Sequence, residues 1–473
     1  MNKKNKSRTI YFRAWSTALF TLLILLLPTT GKSLTQTEQV LSLKQAVIIA
    51  LKNNPGFAQQ VNGMKSAEVT VSQQQADFYP DLVLEASGSE RFDKSQDDST
   101  GNAESRSVTS MNVGVVSSLN LFNGFGDIAA LKNSELLLQA ELESLSQAEQ
   151  TLIFETVSQF IQVLTDQELI HVEQINLAEN NELLERIEAF YEAGKVPISD
   201  LYQQQAETKQ AELDLLEAEH SLNVSKLLLM QTMGMVPTVD YQVSPLDFET
   251  LSLMAPDDDT THLTALALAN RSDVKAQERQ IEAAGQQVRE AKASHLPKVD
   301  LSVSLGTDYS GLSDETQYSE QFNDFLDEFA DENLNSTIGI TFSLPLFDRF
   351  LTRNKIAKAR IEKRNEQSIL KEKKLQVGLE IAEALQDYKK TQKQVDVFES
   401  KLTYARQALH SYEERYRVGA STLIELTDAR TQYVTAAFDR VQAKYDLVTQ
   451  EIAVAYYLGN LKQMFAALSL EKN

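Results

Sequence analysis

Glu425 and Asp428 close the run Tyr416-Arg-Val-Gly-Ala-Ser-Thr-Leu-Ile-Glu-Leu-Thr-Asp428, just past a turn at Gly419. Three residues apart, they share one face of a helix. Asp200 follows a similar turn, Gly194-Lys-Val-Pro-Ile-Ser-Asp200, and an internal repeat sets it opposite Glu425. Carboxylates gathered from several copies of a chain repel one another and attract cations, which is the chemistry of an electronegative constriction. The same positions suit helix N-termini, where Ser199, Asp200 and Glu425 would offset the dipole and cap free amides. Both readings are open at this level. Nothing points to catalysis. His171, His220, His262, His295 and His410 are scattered without metal-ligand spacing, cysteine is absent, and no phosphate-binding glycine loop occurs. No enzyme activity, cofactor or metal is expected.

The elements that carry these acids come in two copies. Leu51-Lys-Asn-Asn-Pro55 and Pro80 recur as Leu268-Ala-Asn-Arg-Ser272 and Pro297 at an offset of 217 residues. Leu121-Phe-Asn-Gly-Phe125 and Tyr191-Glu-Ala-Gly194 recur as Leu346-Phe-Asp-Arg-Phe350 and Tyr416-Arg-Val-Gly419 at an offset of 225. The change of offset falls in the polar loop 92–108, whose counterpart is 308–336, as expected of two equivalent halves that differ in one loop. Residues 32–250 form the first repeat and 251–473 the second. Each half reads as a short helix (43–53; 263–270) and a medium helix (55–79; 273–296), then a strand pair (81–91 with 111–121; 298–307 with 337–346). A long helix (126–193; 351–418) and a return helix (199–233; 422–461) complete it. Ser42 with Gln45 suits a capping box, Pro55 a first helical position and Ser272 an N-cap.

Val299-Asp-Leu-Ser-Val-Ser-Leu-Gly and Ile338-Gly-Ile-Thr-Phe-Ser-Leu alternate apolar and polar residues, with weaker alternation after Asp81 and Met111. Such ribbons have one dry and one wet face, and about 9–11 residues cross a bilayer when tilted. Val299, Leu301, Val303 and Leu305 would face lipid; Asp300, Ser302 and Ser304 would face a watery lumen. Phe78, Tyr79, Phe122, Phe125, Phe347 and Phe350 could form an interfacial girdle. Residues 308–336 hold nine acidic and no basic residues, with Tyr309, Phe322, Phe325 and Phe329 among them, which suits an external loop. A small soluble β-domain would alternate similarly. Four strands cannot close a barrel in lipid, so sister copies must complete it, and three copies give a twelve-stranded ring with room for a conduit.

The long helices, at 1.5 Å per residue, reach about 100 Å. Leu145, Leu152, Phe160, Leu164 and Ile170 recur at helical spacing, as in coiled-coil packing. The medium and return helices, end to end, would line up beside a long one. The fold class is therefore mainly α with a membrane β-barrel part, in which long antiparallel hairpins form an α-barrel.

The N-terminus reads as a secretory signal, 1–31: Lys3, Lys4, Lys6, Arg8 and Arg13 precede an apolar run, Leu19 to Leu27, too short to span comfortably. Its removal would take the formal charge from −22 to −27, which argues against nucleic acid.

Over residues 40–462 the chain resembles the TolC-like outer-membrane efflux family. The run from Tyr416 to Asp428 is similar to that family's tip motif, and Leu121-Phe-Asn-Gly124 and Pro345-Leu-Phe347 to its strand-to-helix junctions. The resemblance implies a homotrimer in a Gram-negative outer membrane, docked to a periplasmic adaptor and an inner-membrane transporter. It implies an acidic pore entrance at Glu425 and Asp428, to which the repeat adds Asp200 as a candidate, a gate-linking tyrosine at Tyr416 with a Ser-Asp pair at Ser199 and Asp200, and tip turns for adaptor docking at Gly194, Val196, Gly419 and Leu423; Ser421 is a further gate-linking candidate. Ser421 stands where the family's best-known member has an arginine, so Arg415 or Arg417 is a candidate for that closing bond. A trimeric adhesin and a periplasmic coiled-coil rod are the alternatives.

Overall fold

The first two helices of the chain start with side chains that satisfy free amides. In α1 (Leu43–Asn53) Gln45 N–H donates to Ser42 Oγ at 3.3 Å, and Ser42 N–H donates to Gln45 Oε1 at 3.0 Å, closing a capping box. In α2 (Pro55–Ala76) Pro55 takes the first position and Asn54 accepts the Phe57 N–H at 3.0 Å. The structure is a computed structural model and describes residues 40–96, 103–236, 241–245, 259–312 and 334–462. The expected signal, 1–31, and Phe322, Phe325 and Phe329 lie outside these residues. The first half continues through β2 (Val83–Gln96), β3 (Ala103–Asn123), α3 (Gly126–Glu192) and α4 (Ile198–Thr232). The second runs through α5 (Thr260–Asn270), α6 (Ser272–Ala293), β5 (Lys298–Leu312), β6 (Leu334–Ser343), α7 (Leu351–Arg417) and α8 (Leu423–Tyr457). Two short strands, β1 (Val40–Leu41) and β4 (Gln242–Val243), pair in parallel and escaped the sequence reading.

Several boundaries differ from expectation for local reasons. The medium helices end at Ala76 and Ala293, not 79 and 296. Tyr79 N–H bonds Ala76 O at 2.9 Å and Leu296 N–H bonds Ala293 O at 2.8 Å, tightening the chain before Pro80 and Pro297. Ser272 is not an N-cap: Arg271 holds that position, and Ser272 Oγ bonds Ser146 Oγ at 3.1 Å. The last helix stops at Tyr457 rather than 461, because Gly459, at φ 74°, closes it with Asn460 N–H on Ala455 O at 3.0 Å. The strands reach beyond the expected hairpins, so the polar loop 92–108 is largely paired β-structure: Gln96 still faces Ala103. At its other end β6 stops at Ser343, two residues before Pro345, which has no N–H to give a ladder.

The four long strands form one antiparallel sheet in the order β2-β3-β5-β6. Directly opposed residues share a face. Leu84 pairs with Val115 and Val115 with Leu305, while Leu301 pairs with Ile340 and Val303 with Ile338, which makes one face apolar. Ser302 opposite Ser118 and Gly339, and Ser304 opposite Val116 and Thr337, belong to the other. The outer edges of β2 and β6 have no ladder partner among the described residues.

Both long helices leave the sheet in the same way. Phe125 and Phe350 adopt left-handed backbone, φ 67° and 64°, a conformation that costs a non-glycine residue about 1–3 kcal/mol. Two residues upstream a polar side chain caps the new helix: Asp127 N–H donates to Asn123 Oδ1 at 3.1 Å, and Thr352 N–H to Asp348 Oδ2 at 2.7 Å. The rings of Phe122 and Phe125, and of Phe347 and Phe350, meet edge to face at 5.1 and 5.6 Å.

The return helices stack on the medium ones. Asn54 Nδ2 donates to Thr232 O at 2.9 Å, so α4 ends where α2 begins. Gly234 makes this approach possible, since a Cβ there would lie 2.4 Å from Asn53 O. In the second half Asn270 Nδ2 donates to Asn460 Oδ1 at 3.0 Å. The main apolar core surrounds Phe160 at mid-length of α3, with Ala46 and Val47 of α1, Leu229 of α4 and Ile452 of α8. Among the described residues no helix is long and apolar enough to cross a membrane.

Candidate functional site

The turns that end the two helical hairpins are built alike. At the first, Gly194 takes φ 69° and Lys195 N–H bonds Phe190 O at 2.8 Å; at the second, Gly419 takes φ 75° and Ala420 N–H bonds Arg415 O at 2.8 Å. Both are helix stops that need a left-handed residue, which glycine supplies without strain. The turns lie together. Leu183 and Ile187 of α3, Leu409 of α7 and Leu423 and Leu426 of α8 form one buried cluster, with Val196, Leu201, Tyr412 and Tyr416 packed on it. Leu423 is 3% exposed, so its side chain serves this cluster and not a docking surface. Gly194 and Gly419 are exposed and Val196 is half-buried.

The acids at this end take different roles. Glu425 forms a capping box with Thr422: its Oε2 accepts Thr422 N–H at 2.8 Å and Ser421 Oγ–H at 2.9 Å, while its own N–H donates to Thr422 Oγ1 at 3.3 Å. The Thr422 amide, then the Ser421 and Thr422 hydroxyls and the Arg415 charge, hold its carboxyl below the usual glutamate range. Capping and an exposed negative charge therefore coexist on one side chain. Asp428 is exposed and makes no hydrogen bond or ion pair among the described residues. Asp200 is half-buried and accepts the Ser199 hydroxyl at 3.2 Å.

The expected gate links are not made within the chain. Ser421 is used by Glu425 in its own turn. Arg415 donates to Ala420 O at 3.3 Å and Arg417 to Glu414 at 2.7 Å, so both stay on their own hairpin. The Tyr416 hydroxyl is buried without a hydrogen-bond partner among the described residues. Burial, and after it the Asp200 charge, push that phenol up, against the pull of Arg186.

The sequence reading missed a polar seam just above the apolar cluster. Asn180 Nδ2 donates to Asn176 Oδ1 at 3.0 Å, Gln204 Nε2 donates to Asn180 Oδ1 at 3.0 Å, and Thr208 Oγ1 donates to Gln204 O at 2.9 Å, all buried. Arg430 of α8 lies beside Glu179 of α3 and Glu413 of α7. Burial pushes the Glu179 carboxyl up, partly offset by Arg430. The signal was present in the spacing: Glu173, Asn176 and Asn180 continue, three and four residues apart, the stripe that Leu183 and Ile187 occupy further down. A cleft of about 530 Å³ opens along this seam, lined by Glu173, Asn176, Asp214, Thr427 and Arg430.

One sheet shared by both halves, with two edges unpaired among the described residues, and a long helical hairpin with an acidic turn in each half narrow the fold to a channel plan. Residues 47–235 and again residues 263–460 match the family model for outer membrane efflux proteins. The chain belongs to that family. This outer membrane efflux protein is 25% identical over 427 residues to Protein CyaE of Bordetella pertussis, covering 89% of this chain and 84% of that one. It is 22% identical over 321 residues to outer membrane protein TolC of Escherichia coli, covering 67% and 62%. Among solved structures, the CmeC outer membrane channel of Campylobacter jejuni superposes with a TM-score of 0.74 at 18% identity, covering 91% of this chain and 90% of that one. The fold is thus that of the α/β-barrel channels, and the protein is an outer-membrane channel subunit of an export system in a Gram-negative bacterium. The family is one of channels, which displaces the adhesin and rod readings.

Proposed function

We propose that three copies form a passive duct whose acidic periplasmic tip is shut at rest and opened by contact with an adaptor and an inner-membrane transporter. The observation that carries this reading is the joining of both hairpin turns in one apolar cluster, with Glu425 and Asp428 on exposed positions beside it. Three copies about an axis would bring six such carboxylates to one ring, with Asp200 behind them. Trimerisation is supported by the apolar residues that α7 leaves exposed along its length, including Ile361, Ile369, Leu375, Leu379 and Val397, which water disfavours and sister helices would cover. The exposed turns at Gly194 and Gly419, with Val196, are the surface offered to the adaptor. Ser199 already bonds Asp200, whose charge also acts on the unpartnered Tyr416 phenol, so these three are the gate-linking group of the tip.

Planar-bilayer recordings of Glu425→Gln with Asp428→Asn test the entrance. Glutamine still completes a capping box, so the charge is lost while the helix start is kept. The expected result is loss of cation preference; unchanged conductance and selectivity would remove these residues from the pore. Glu425 has a depressed carboxyl pKa, so its charge and its capping contribution are present above the usual value of 4.5 and are lost only as pH falls through the lower folded value. Cation preference of the Asp428→Asn variant should therefore persist at pH 4.5, where an ordinary glutamate is half neutral.

A further inference from the structure

A closed tip needs something to hold the second hairpin against the first, and three of the side chains expected to do so are engaged within their own hairpin: Ser421 with Glu425, Arg415 with Ala420 and Arg417 with Glu414. Arg430 is placed differently. It leaves α8 about two turns past Thr422, and its side chain is 9% exposed. Its Nε stands 3.9 Å from Glu179 Oε2 of α3, and its Nη2 stands 3.5 Å from Glu413 Oε1 of α7. The repeat offset puts Gln205, an exposed residue, at the matching place in the first half. The arginine therefore breaks the symmetry of the halves, and it does so where α8 crosses to α3.

We infer that Arg430 is a latch of the tip, tying the second-half hairpin to α3 of the first half and releasing it when the duct opens. The inference rests on the gated-tip reading above and names the residue that holds the gate.

The geometry is that of a releasable tie. Charge-assisted hydrogen bonds usually run at about 2.7–2.9 Å, and both contacts here are longer. Arg430 Nε and Nη1 and Glu179 Oε2 are buried without hydrogen-bond partners among the described residues. An ionic group so incompletely satisfied recovers little of its desolvation cost. Moving α8 off α3 returns the guanidinium and Glu179 to water, so the held and released states lie close in free energy, as a switch requires. Two carboxylates face this guanidinium, and Glu182 adds a further negative charge near Glu179. Deleting the positive charge leaves like charges confined together, which drives the elements apart.

Conductance of the purified full chain in planar bilayers tests the latch. Arg430→Ala should raise resting conductance about fivefold or more, the lower range of coupling between linked sites, and Arg430→Lys should stay near wild type. Exchanging the charges, Glu179→Arg with Arg430→Glu, with Glu413→Gln to remove the second facing carboxylate, should bring conductance back towards wild type, which a merely structural arginine would not allow. If Arg430→Ala fails to assemble, Glu179→Gln carries the same expectation. Unchanged conductance in the single variants, or a charge exchange as leaky as Arg430→Ala, overturns the latch while the entrance acids still govern selectivity. A wild-type protein that shows no conductance steps in any condition overturns the gated duct itself, which separates the two failures.

Discussion

Arginine in place of both Ile338 and Ile340 is expected to keep the protein out of the outer membrane. These residues sit on the apolar face of β6, opposite Val303 and Leu301, and are 76% and 69% exposed in the single chain. Their exposure has no use unless lipid covers them. Each arginine near the mid-plane of a bilayer costs about 2–4 kcal/mol, so two remove a large share of the roughly 5–15 kcal/mol that keeps a domain folded. Thr337 and Thr341 alternate with them and point to the opposite face, where they pair with Ser304 and Asp300. Arginine at those two positions should leave assembly intact, because that face meets water. Membrane fractionation followed by a heat-stability gel reads the outcome. Normal outer-membrane recovery of the isoleucine variant would place that face against protein or water instead.

The second large effect is expected at Phe160. It is fully buried and belongs to the cluster that joins α1, α3, α4 and α8. Truncating a buried phenylalanine costs about 3–5 kcal/mol through lost burial and the cavity left behind. Phe160→Leu, which keeps most of the volume, should cost below about 1.5 kcal/mol. Denaturant titration of the solubilised protein, followed by helical circular dichroism, should show a much lower midpoint for Phe160→Ala than for Phe160→Leu. Equal midpoints would mean that the core does not pivot on this ring. Because the cluster includes Val448 and Ile452 of α8 and Leu229 of α4, its loss should also loosen the stacking of the return helices.

Much of this architecture is written in short-range patterns. Of the stripe Leu145, Leu152, Phe160, Leu164 and Ile170, the middle three are buried in α3 and the outer two half-buried. The alternation in β5 and β6 marked which residues share the apolar face, since a ribbon between lipid and lumen has one dry side. A period of two is visible only where the two sides of a ribbon differ. Residues 93–96 and 104–107 are polar on both alternations, and a ribbon with polar residues on both faces has no period to detect, yet Asp93 still pairs with Arg106 and Lys94 with Ser105. Strands β1 and β4 are too short to carry a period at all.

The site was legible in place but not in detail. Repeat offsets put Asp200 and Glu425 at equivalent turns, yet no pattern tells which oxygen a carboxylate offers to its own helix. Glu425 both caps α8 and keeps its charge at the surface. Ser421, read as a link between hairpins, is close enough to Glu425 to be satisfied within one turn. Arg430 escaped notice because an arginine on a polar helix reads as solvated; its burial comes from α3 and α7, which are distant in sequence.

The claim beneath all of this is that one copy cannot finish its own sheet. The chain contains no cysteine, so introduced pairs report without background. Placing one cysteine at Ser87 of β2 and another at Thr337, Gly339 or Thr341 of β6 and oxidising the outer membrane should give, for at least one pairing, a ladder on a non-reducing gel that ends at three copies. A ladder that stops at two, or cross-links confined within single chains at all three pairings, would mean that the edges of β2 and β6 do not meet between three sister copies.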